Sequence, residues 1–104
     1  YCIDMHSKDA RAAGESEQRL YALNAWQETS FYSEEERAAL AWAEANTLIT
    51  KNGVSAILFE SMKQFYNDQQ IVDLTLVITS INAWNRIALS FGAVAGSYTV
   101  GDFS

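Results

Sequence analysis

Apolar residues recur at three- and four-residue intervals through most of this 104-residue chain, and the spacing predicts helices rather than strands. Leu20, Leu23 and Trp26 give one such side, opened by Ser16 as N-cap with Glu17 in the first turn. Leu40, Ala43 and Thr47 give the next, behind Ser33-x-x-Glu36, a capping box in which each side chain takes up the other residue's unpaired backbone N–H. Ser55 caps a further helix striped by Leu58, Phe59, Met62, Phe65 and Tyr66. An aromatic and methionine stripe at this spacing is packing, not a cofactor box. Thr50-Lys51-Asn52-Gly53 between these two helices reads as a loop.

The run from Asp68 to about Phe91 is ambiguous in composition, because Ile71-Val72 and Leu74-Thr75-Leu76-Val77-Ile78-Thr79 are rich in β-branched residues. Length decides for helix: no glycine or proline interrupts the run, and Asp68 is a suitable N-cap. A helix apolar on more than one side is expected to be central or to meet a neighbouring subunit. At the other end, a first helix covers Tyr1 to about Ala13, with Gly14 where a left-handed cap is wanted. Proline is absent and only five glycines occur, so the expected fold is all-α: one helical domain over 1–104 of about five helices. Gly92, Gly96 and Gly101 then mark a loosely held tail over 92–104.

Composition sharpens this in two ways. Apolar residues make up 49% of the chain, including three Trp, five Tyr and five Phe, a surplus that points to a partner subunit. Seven basic against thirteen acidic residues leave a formal charge of −6, which repels phosphate backbones and anionic membranes, so neither nucleic acid nor a membrane is an expected partner. Glu34-Glu35-Glu36 reads as a solvated first helical turn. One cysteine forms no internal disulfide, and the chain has no basic-apolar leader and no long uncharged apolar run; a reducing, cytoplasmic setting is expected.

The chemistry concentrates at Cys2 and His6, the single cysteine and single histidine, four positions apart. Positions i and i+4 of a helix share a face, so an imidazole there can take the thiol proton or hold the thiolate by its charge. Spacing by itself favours the other reading, a buried thiol acting as a small hydrophobe. Asp9, three residues after His6, could orient the imidazole or simply be a solvated carboxylate. Asn82, Asn85 and Arg86 interrupt an apolar helix, where amides need hydrogen-bond partners, and are expected to bridge helices or subunits. One Cys and one His fall short of the four ligands of a structural zinc, so no metal is expected. No Gly-x-Ser-x-Gly nucleophile motif occurs.

Cys2 with His6, Gly14 after them, Glu36-Arg37-Ala38-Ala39-Leu40 with Glu44 and Thr47, Phe65 with Asp68, and Ile81-Asn82-Ala83-Trp84-Asn85-Arg86 occur in an order that runs to about Leu89. Together they resemble the alkyl hydroperoxidase D and carboxymuconolactone decarboxylase superfamily, all-helical proteins with a Cys-x-x-Cys-x-x-x-His signature. The chain departs from that pattern at its start. The signature's first cysteine would fall three residues before Cys2, and a glutamate of the family's proton relay would also precede Tyr1, so the N-terminal helices are expected to be missing.

The resemblance implies a thiol-dependent peroxidase that reduces alkyl hydroperoxides, with Cys2 as nucleophile and His6 as proton carrier. It also implies a dithiol donor, lipoyl- or thioredoxin-like, and a homo-trimer or homo-hexamer. Two other functions stay open: a non-redox decarboxylase-like enzyme of the same superfamily, and a non-catalytic helical oligomer.

Overall fold

A computed structural model describes residues 2–92 and 99–101, with side chains from residue 7 onward. It is all-α, and the described residues hold six α-helices and one 3-10 segment: α1 (Cys2–Ala12), α2 (Glu17–Ala22), the 3-10 segment Leu23–Glu28, α3 (Glu34–Thr47), α4 (Ile49–Asn52), α5 (Ala56–Lys63) and α6 (Asp68–Ser90). They fall into two compact units, one of Tyr1–Ala25 with Ala83–Ser104 and one of Trp26–Asn82. The tail expected at 92–104 lies largely outside the described residues.

In the first unit, α1 ends as Gly14 predicts. Gly14 has φ 102°, its N–H donates to the Arg11 carbonyl, and the Glu15 N–H donates to the Ala10 carbonyl, each at 3.0 Å. This is the Schellman pattern, which satisfies carbonyls that the helix leaves open. Ser16 then caps α2 by accepting from the Arg19 N–H at 3.1 Å. Arg11–Glu17 at 3.7 Å and Arg19–Glu15 at 3.4 Å tie the corner together.

The second helix is not continuous to Glu28, as the apolar spacing suggests. It gives way to the 3-10 segment, with Ala25 at φ −117°, ψ 35°. The carbonyls of Trp26, Gln27 and Thr29 accept from the Arg37 guanidinium, and so are engaged outside an α-helical ladder.

The second unit is built around Trp42, Met62, Ile71 and Ile78, with Ala38, Leu58, Tyr66 and Leu74 among the side chains packed on them. Met62, from the predicted α5 stripe, is fully buried. The Ser33/Glu36 capping box forms, with the Ser33 N–H donating to Glu36 at 2.9 Å and the Glu36 N–H donating to Ser33 at 3.1 Å. The expected loop at 50–53 is instead the end of a helical turn, α4, which Gly53 closes at φ 66° with its N–H on the Ile49 carbonyl. Phe65 and Tyr66 lie just past α5, in a turn whose N–H groups both reach the Met62 carbonyl.

The β-branched run is helical, within α6. Thr75 and Thr79 satisfy their hydroxyls inside that helix by donating to the carbonyls of Ile71 and Thr75, at 2.7 and 2.8 Å. The N-cap is Asn67, not Asp68: Asn67 Oδ1 accepts from the Gln70 N–H and Gln70 Oε1 from the Asn67 N–H. Asp68 takes the first helical position, where its charge still favours the positive end of the helix.

Candidate active site

Cys2 and His6 are carried by α1, whose backbone is helical from Cys2 onward, so the two positions fall one turn apart on one side of the helix. Their side chains lie outside the described residues. The helix beneath them is held at its far end by the Gly14 cap and the two ion pairs of the α1–α2 corner. Between these points Ser7, Lys8, Asp9 and Ala10 are half-buried and Arg11 to Ser16 are exposed. Asp9 sits one turn beyond His6 on the backbone, and its carbonyl accepts from the Ala13 N–H at 3.0 Å. Among the described residues no group of three or more His, Cys, Asp or Glu side chains comes together to hold a metal ion.

Of the amides in the last helix, Asn82 does what was expected of it: its Nδ2 donates to Thr47 Oγ1 at 3.0 Å, joining α6 to α3. Asn85 is half-buried and Arg86 exposed.

Two polar residues matter to the second unit more than the apolar pattern indicates. Arg37 donates to the Trp26 and Thr29 carbonyls at 3.0 Å each and to the Gln27 carbonyl at 3.2 Å, and it lies 5.5 Å from the centre of the Trp26 ring. Nothing in the helical spacing points to acceptors in an irregular segment eight to eleven residues upstream. Thr75 accepts the Trp42 indole N–H at 2.9 Å while donating to Ile71, so the buried indole is satisfied across two helices. The signal for this pair is chemical: a buried tryptophan needs an acceptor.

Tyr66 donates to the Glu35 carbonyl at 2.8 Å. Burial, followed by the negative charges of Glu35 and Glu36, pushes its phenol above the ordinary value of 10.0, because each disfavours the phenolate.

The comparison with known proteins agrees with this architecture. The model of the carboxymuconolactone decarboxylase family matches residues 1–45, which contain Cys2, His6, Gly14 and Arg37. The chain is 50% identical over 97 residues to the uncharacterized protein YdfG of Bacillus subtilis (strain 168), an alignment covering 93% of the chain and 66% of that protein. The chain thus spans just under two thirds of that relative's length. It also superposes, with a TM-score of 0.90 and 39% identity, on the crystal structure of a protein of unknown function from Agrobacterium tumefaciens described as a candidate antioxidant defence protein AhpD. That superposition covers 94% of this chain and 67% of the other. The chain belongs to the carboxymuconolactone decarboxylase and alkyl hydroperoxidase D-like superfamily, and it has that superfamily's all-α fold. Among the described residues no helix is long and apolar enough to cross a membrane.

Proposed function

We propose that the chain carries the thiol centre of a peroxidase that reduces alkyl hydroperoxides. The observation that carries this reading is the placing of Cys2 and His6 one turn apart on α1 in a chain of this family. His6 takes the thiol proton, and the Cys2 thiolate attacks the terminal oxygen of the hydroperoxide. An S–O bond forms and the O–O bond breaks. The departing alkoxide takes the proton back from His6 and leaves as the alcohol, with Cys2 as a sulfenic acid. A second thiol, which the family signature places three residues ahead of Cys2, attacks the sulfur, releases water and forms a disulfide. A dithiol donor of the lipoyl or thioredoxin-like kind then reduces that disulfide by thiol exchange.

The reading includes a homo-oligomer, a trimer or hexamer as in the resembling family. It is supported by the exposed apolar residues of α6, among them Leu76, Val77 and Trp84 at 60%, 64% and 62% exposure.

Treatment with an alkyl hydroperoxide followed by dimedone and mass spectrometry tests the chemistry. Adduct on Cys2 is expected, slower to form in His6→Ala, and in parallel samples in which a dithiol replaces dimedone the sulfenic acid should return to the free thiol. No adduct, or an equal rate in His6→Ala, would overturn the peroxidase reading or the role of His6, respectively.

A further inference from the structure

We draw no further inference here: the strongest candidate, the exposed apolar face of α6 that includes Val72, Leu76, Val77, Trp84 and Ile87, only supports the association already proposed, and nothing in the structure shows what covers it.

Discussion

Replacing Arg37 with methionine should cost this protein a sizeable part of its stability, although the residue is neither in the apolar core nor in an ion pair with a described residue. The guanidinium holds three carbonyls of the segment leading into α3, at 3.0, 3.0 and 3.2 Å. A hydrogen bond to a charged group contributes roughly 1.5–3 kcal/mol where water cannot replace it. Two of the three bonds are part-buried and one is exposed, so counting two at the low end gives about 3 kcal/mol. The cation–π contact adds about 0.5 kcal/mol at so open a site, and methionine keeps the packing on Trp26. A loss of about 2–4 kcal/mol is therefore expected, large beside a typical domain stability of roughly 5–15 kcal/mol. Urea unfolding should show the midpoint falling by about 1–2 M at a slope of roughly 2 kcal/mol per M. Arg37→Lys keeps the charge but not the planar fork, and should recover only part of the loss. A change below about 0.5 kcal/mol in Arg37→Met would show that water replaces the guanidinium without penalty. Full recovery in Arg37→Lys would show that charge, not fork geometry, is what matters.

Thr75→Val, close in shape, strands the buried Trp42 indole N–H and should destabilise by about 1–3 kcal/mol, with Thr75→Ser close to wild type; equal midpoints for Val and wild type in urea would refute that pairing. Tyr66 favours the folded state through a proton it holds more tightly than the unfolded chain does. That contribution is complete below pH 10, the unfolded value, and is lost as pH rises through the raised folded value, so Tyr66→Phe should flatten the loss of stability above pH 10 in a pH series of thermal melts. Light scattering at micromolar concentration should give a multiple of 11.6 kDa, with three or six copies; a clean monomer with normal solubility would remove α6 as a subunit contact.

Secondary structure was legible here wherever it depends on neighbours in sequence. Gly14, Ser16, Ser33 with Glu36, and Ser55 mark helix ends because a cap is satisfied within a few residues of itself. The same locality let length settle α6 as a helix against its β-branched composition. Of the candidate site, the backbone positions were legible for a related reason: two positions four apart on any helix share a face, so the placing of Cys2 and His6 on one side depends only on α1 being helical.

Tertiary structure decided the rest. The break at Ala25 was hidden because the apolar spacing of Leu20, Leu23 and Trp26 suits a continuous helix, while the carbonyls just beyond the break are held by an arginine from the next helix. Whether Asn67 or Asp68 capped α6 turned on one reciprocal pair with Gln70, a choice that residue preference leaves open. Thr75 and Thr47 gained their partners, Trp42 and Asn82, from helices more than thirty residues away in sequence. Helical periodicity states which side of a helix is apolar, but a hydrogen bond between helices needs a particular donor and acceptor within about 3 Å, and only packing brings them together.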